Sequence, residues 1–334
     1  MPFRIIRLSG LPAIALLFAT SVAGTAASGL GDAAASVLPL REPTIFVADF
    51  REVGVPSCAG ERPETCTAAV RVRVSRVLKD RDGMALAPCE IATTITRWMG
   101  EGDGRLLTFW SGAWPRQGES YLIISARRAS LADMIRSPAA ADVISLREDP
   151  VAEVEFILHE ADLSIGDQAT AAAAWLGSGT RHGRHLADYA AALLEAGAPS
   201  DTYALASAVT SARADAFSDS GRSELVYRLS VPNGSQGASP NRLRVFVVLV
   251  ARYFCLDGEK VAQTGLTQMQ RAILGVYFQR ILDSGRARAV WKAEVTGEDL
   301  TAFRAKARGL AADPKVSEAY RQGIARFLEL SEGQ

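Results

Sequence analysis

Between Thr67 and Asp80, in TAAVRVRVSRVLKD, apolar and polar residues alternate: Val70, Val72 and Val74 interleave with Arg71, Arg73 and Ser75. A period of two places the valines on one face and the polar groups on the other, which predicts a half-buried β-strand. The next apolar residue, Val77, comes three positions after Val74, so the alternation slips phase at Ser75-Arg76. One extra residue there makes a bulge and bends the strand.

Strand patterns surround this stretch. TIFVADFREV from Thr44, IATTITRW (91 to 98), RLLTFW (105 to 110) and YLIISA (121 to 126) are rich in β-formers, and KDRDG, GEGDG and PRQGES punctuate them with turns. Five short strands at this spacing predict a small closed or nearly closed antiparallel barrel. DVISL (142 to 146) and AEVEFIL (152 to 158) alternate again and predict a hairpin around Asp149-Pro150, with one or two helical turns over Ser130 to Ser137 before it.

After Asp162 the pattern becomes helical and Ala-rich. Helices are predicted over Gln168 to Leu176, Gly183 to Ala196, and Asp201 to Ala214 with Ser200 as N-cap, followed by a short Glu224 to Leu229 segment and a buried helix over Pro240 to Leu256. Thr267-x-x-Gln270 and Thr296-x-x-Asp299 resemble capping boxes for helices to Ser284 and Ala312, and Asp313-Pro314 opens a last helix to about Glu329. The fold class expected is therefore α+β: an OB-like barrel domain (43–160) followed by an all-α domain (161–334). Residues 28–42, poor in periodicity, read as a linker.

The opening strand TIFVADFREV, the strand ending VSRVLKD, the ITRW segment and the closing G-E-S-YLIISA together resemble the OB-fold module of tissue inhibitors of metalloproteinases and netrin C-terminal domains. The resemblance covers residues 44–126 and implies the fold. Inhibition in that family depends on a mature N-terminal cysteine that chelates zinc; here Cys58 lies some 30 residues after Gly24 or Ser28, so the inhibitory mechanism is not implied.

Residues 1–27 carry Arg4 and Arg7, an apolar run from Leu11 to Ala19, and small residues at Ser21-Val22-Ala23 or Thr25-Ala26-Ala27. That order reads as a secretory signal peptide, with an uncleaved N-terminal anchor as the alternative, and predicts an exported protein, periplasmic or extracellular. No later window approaches the roughly 20 apolar residues of a spanning helix. The 37 basic and 37 acidic residues cancel, which argues against nucleic-acid binding.

Export makes disulfides possible. Cys58 and Cys66 bracket the loop SCAGERPETC between two strand patterns and are expected to pair, whereas Cys89 and Cys255 either cross-link the two domains or, as the favoured reading, are each a small buried hydrophobe. Neither CxxC nor a nearby His suggests a metal or redox centre.

Candidate chemistry is sparse. His182, His185 and Asp188 could share a helix face as metal ligands, but Arg181 and Arg184 flank them, and a solvated helix start is the expectation. His159 reads as a strand-end residue; the GSG and DSG serines lack a neighbouring base, and Asp80, Asp82 and GEGDG read as turns. No catalytic residue, metal or cofactor is expected. The candidate binding face is aromatic: Trp98, Phe109, Trp110, Trp114 and Tyr121 fall within 24 residues beside Arg97, Arg105 and Arg116. Such a face on an OB-type barrel binds oligosaccharides or nucleic acids, though core and interface packing explains it as well. The functional expectation is an exported, non-catalytic binding or interaction protein with a protein or glycan partner. The alternative is a secreted hydrolase whose site assembles between the two domains.

Overall fold

The computed structural model describes residues 37–58, 65–81, 83, 86–98, 114–125, 130–136, 142–145, 150–179, 181–213, 215–230, 239–256 and 264–332. A one-turn helix, α1 (Leu38–Arg41), precedes a sheet of β1 (Thr44–Val53), β2 (Thr65–Asp80), β3 (Glu90–Trp98), β4 (Ser120–Ser125) and β5 (Asp142–Ser145). The helix α2 (Leu131–Arg136) lies between the last two strands in sequence. All pairings are antiparallel, in the order β3-β2-β1-β4-β5.

Val70, Val72 and Val74 are buried on β2 while Arg71, Arg73 and Ser75 are exposed. Val47 pairs with Arg76 and Ala48 with Val74, so Ser75 is the residue left over: the bulge falls at the phase slip. Two further register shifts, after Ile45 and after Phe50, add to the bend of this ribbon. The described strands nevertheless form an open sheet with β3 and β5 at its two ends, rather than the closed barrel expected from the strand patterns. RLLTFW, read as one strand of that barrel, lies outside the described residues, as does the leader-like segment 1–27.

Each face of the sheet carries an apolar cluster, though the second leaves Arg71, Arg73 and Ser75 of β2 exposed. Phe46, Phe50, Val70, Val72, Val74, Ile95, Tyr121 and Ile123 pack with Met134 and Ile135 of α2. On the opposite face Ile45, Val47, Leu122 and Ile124 pack against Val154. Val154 belongs to α3 (Pro150–Glu160), which corrects the expected strand over 152–158. Pro150 opens the helix where its missing N–H costs nothing. Val151, Val154 and Leu158 face the sheet cluster at helical spacing, while Ile157 and Ala161 enter the larger core of the helical region. Burial on two sides is what makes the stretch look alternating.

The helical region comprises α4 (Ile165–Leu176), α5 (Arg184–Ala196), α6 (Pro199–Ser211), α7 (Asp219–Ser230), α8 (Pro240–Phe254), α9 (Gln268–Ala272), α10 (Phe278–Asp283), α11 (Gly285–Glu294), α12 (Gly297–Ala312) and α13 (Glu318–Glu332). A single π turn, Ile273–Tyr277, joins α9 to α10. The Thr267 capping box forms in full. Thr296 is the N-cap of α12 without a side-chain bond, the N-cap of α6 is Ala198 rather than Ser200, and α13 starts at Glu318.

The end of the expected linker is structured. Val37 and Leu40 are buried in the helical core, and Lys79 on β2 donates to the carbonyls of Pro39 (2.7 Å) and Leu40 (2.9 Å). One of the five lysines is thus spent on the open carbonyls of α1, satisfying groups that its single turn leaves without partners. Burial depresses the Lys79 pKa to about 8, with Arg81 adding to the fall and Glu42 opposing it.

Candidate functional site

Three places gather functional side chains: a cleft between β2 and α3, a buried polar centre at the start of α5, and a cavity where α4 and α6 end.

The cleft has a volume of about 650 Å³ and is lined by Arg76, Val77 and Leu78 from β2 and by Glu155, Phe156, Leu158 and His159 from α3. The bulge at Ser75 brings Arg76 to this rim: past it the strand changes phase, and Arg76 forms an ion pair with Glu155 across the cleft. Phe156 lies against Trp175, ring centroids 4.3 Å apart with the planes tilted at 46°, and supplies the aromatic part of the lining beside Val77, Leu78 and Leu158. His159 is well exposed, its Nε2 3.9 Å from Glu160 Oε1. It sits at the end of a helix, not of a strand.

The buried centre begins with an incomplete helix start. Gly183, the N-cap of α5, offers no side chain to the first-turn amides. Glu153 reaches over from α3 and accepts from the backbone N–H groups of Gly183 and of Leu186, the latter at 3.2 Å. A carboxylate there satisfies orphan donors and faces the positive end of the helix dipole. A Cβ at position 183 would lie 3.1 Å from the Glu153 carboxylate and would crowd it by a few tenths of an ångström. Gly221 plays the complementary part: a Cβ there would stand 2.9 Å from the Gly183 carbonyl oxygen.

His182, His185 and Asp188 are all buried, which corrects the expectation of a solvated helix start. Their surroundings are structural. The His182 ring lies against Trp175 and Phe217, and burial lowers its pKa while a bond to the Leu176 backbone opposes the fall. Burial pushes the Asp188 carboxyl up to about 7, although Arg228 pulls it down. Arg228 Nε lies 2.9 Å from both Asp188 Oδ1 and Glu224 Oε1 but donates its hydrogen bond to Glu224. Asp188 thus shares its ion-pair partner with Glu224, and the attraction does not offset the desolvation of the carboxyl. Among the described residues no group of three or more His, Cys, Asp or Glu side chains is placed to hold a metal ion.

The third place is a cavity of about 420 Å³ lined by Leu176, Gly177, Gly179, Arg181, Ala212, Arg213, Asp215 and Ala216. None of its residues was legible as a site in the sequence.

Of the aromatic face, Arg97 and Trp98 end β3, paired with Cys66 and Thr65. Their side chains, and all of Arg105, Phe109 and Trp110, lie outside the described residues. Trp114 is half-buried and packs on the inner sheet cluster, and Tyr121 is buried in that cluster. These two serve as core. Cys58 and Cys66 form the expected disulfide. Neither Cys89 nor Cys255 is joined in a disulfide; Cys255 is partly buried, whereas Cys89 is exposed, contrary to its reading as a buried hydrophobe.

No protein-family model, curated protein or solved structure matches the chain. No helix among the described residues is long and apolar enough to cross a membrane.

Proposed function

We propose that the protein is an exported, non-catalytic binding or interaction protein of the cell envelope or extracellular space, and that the cleft between β2 and α3 receives a protein or glycan partner. The observation that carries this reading is the cleft itself: a mixed lining with one aromatic ring at Phe156, apolar side chains at Val77, Leu78 and Leu158, a charge of each sign at Arg76 and Glu155, and a volume of about 650 Å³. Apolar groups interspersed with a few convergent polar ones suit a binding cleft. The Cys58–Cys66 bond favours an oxidising compartment, in keeping with the leader-like residues 1–27. The open sheet, with β1 paired on both sides and bent by bulges, is compatible with the partly open five-stranded barrel of an OB-type module.

Expression of the full chain in its own host tests both parts. The reading expects recovery outside the cytoplasm, and a stoichiometric partner that cross-links to the native protein and is lost when Arg76 is changed to Glu. Cytoplasmic recovery would remove the export, and a partner retained by Arg76→Glu would remove the cleft. Hydrolysis of ester or peptide substrates that disappears in His159→Ala would replace binding with the hydrolase reading, since His159 is the imidazole on the cleft rim.

A further inference from the structure

The cavity between the ends of α4 and α6 has a charge pattern that the binding cleft does not share. Leu176 closes α4, Gly177 is its C-cap and Ala212 is the C-cap of α6, so both helices point their C-terminal ends at one space. Each such end is equivalent to about half a negative charge. Arg181, Arg213 and Asp215 supply two positive charges and one negative on the same lining. The lining thus brings charges of both signs together, the guanidiniums of Arg181 and Arg213 beside the Asp215 carboxylate and the two helix ends.

The two arginines are not equally engaged. Arg213 grips Asp215 with two bonds of 3.0 Å. Among the described residues Arg181 makes a 3.5 Å ion-pair contact with Asp219, whose Oδ1 lies 2.6 Å from Arg222. Arg181 also faces Asp215, whose carboxyl is held below its usual range by the Arg213 hydrogen bonds first and by Arg181 in smaller part. Pairs this exposed stabilise little, so a ligand carboxylate can take up Arg181 without breaking a strong contact. Leu176, Ala212 and Ala216 leave an apolar wall with room for a short side chain.

We propose that this cavity binds a small zwitterion of the α-amino-acid class, its carboxylate on Arg181 and its ammonium toward the converging ends of α4 and α6. A plain anion would be repelled by the helix ends and a plain cation by the arginines, so neither half alone satisfies the site.

Calorimetric titration of the full chain with glycine, L-alanine and L-serine, and separately with acetate and methylammonium, tests this. At least one of the three amino acids is expected to bind saturably with Kd of about 1 mM or tighter, and each half-ligand at least about tenfold more weakly. Arg181→Ala is expected to weaken the amino acid at least about tenfold while the melting temperature without ligand stays unchanged, because the side chain is mostly exposed. No saturable binding of any of the three up to about 10 mM, acetate binding as tightly as the amino acids, or an unchanged Kd in Arg181→Ala would each overturn it.

Discussion

Two stretches of this chain alternate with the same period and fold differently. In β2, Val70, Val72 and Val74 are buried and the arginines between them exposed, so each alternate position sees one solvent face and one core. In α3, Val154, Phe156 and Leu158 also alternate with Glu153 and Glu155, yet the segment is a helix. The difference lies in what surrounds each stretch. The neighbours of β2 are strands that pair with it on both sides, whereas α3 lies between a sheet and a helical core, with Glu155 and His159 left toward solvent. Alternation is diagnostic only where one side is wet. Where both sides are buried, the helical set Val151, Val154, Leu158 and the adjacent Ile157 can mimic it, and Pro150 is the better signal.

The sharpest way to break this contrast is Val72→Asp. Putting a charge on the fully buried face of β2 forfeits about 1.5 to 3 kcal/mol of transfer energy and adds a larger desolvation cost, so the sheet is expected to unfold. A urea melt reads the loss directly, and a cooperative transition retained at the wild-type midpoint would refute the strand orientation.

Glu153→Ala comes next. It leaves the buried amides of Gly183 and Leu186 without their acceptor, at about 1 to 3 kcal/mol each on the usual scale for unmet buried donors. We expect a total loss of about 3 kcal/mol, against less than about 1 kcal/mol for Glu155→Ala, whose ion pair with Arg76 is half exposed. Equal losses in parallel melts would mean that α3 is not clamped through Glu153.

The pH dependence gives a smaller effect with a definite sign. Folding raises the Asp188 pKa from 3.8 to about 7, so the folded state binds the extra proton between those values. Its contribution to stability is complete below about pH 4 and disappears as pH rises through 7. Lys79 acts in the other window: folding lowers its pKa from 10.5 to about 8, and stability on its account rises between pH 8 and 10.5. Asp188→Asn is therefore expected to stabilise the protein at pH 8 by about 1 to 3 kcal/mol and to flatten the profile from pH 4 to 7. Thermal melts across this range check it, and an unchanged slope would remove Asp188 from the account.

The smallest expected effect is that of Arg73→Ala, below about 1 kcal/mol, because the side chain lies on the exposed face of β2.

What was legible in the sequence follows the same division. β1, β2 with its bulge at Ser75, β3, β4 and the Cys58–Cys66 staple could be read because they depend on local alternation and loop spacing. The Thr267 capping box could be read because both partners lie within one turn. Closure of the sheet could not, since it depends on which strands end up at its edges. Nor could the roles of Glu153 and Lys79, which satisfy backbone groups 30 to 40 positions away. One clue was available: α5 starts at a glycine with no Ser, Thr, Asp or Asn to cap it, so its amides had to find an acceptor elsewhere. The cavity between α4 and α6 left no trace, because its charges come from separate loops.

The clamp between α3 and α5 is most directly tested by amide hydrogen exchange on Glu153→Ala beside the unchanged protein. Helical protection is expected through Val154 to Glu160 in both, with protection at Gly183 and Leu186 falling at least about tenfold in the variant. Strand-like protection at alternate residues of 152–158, or undiminished protection at Gly183 and Leu186, would contradict it.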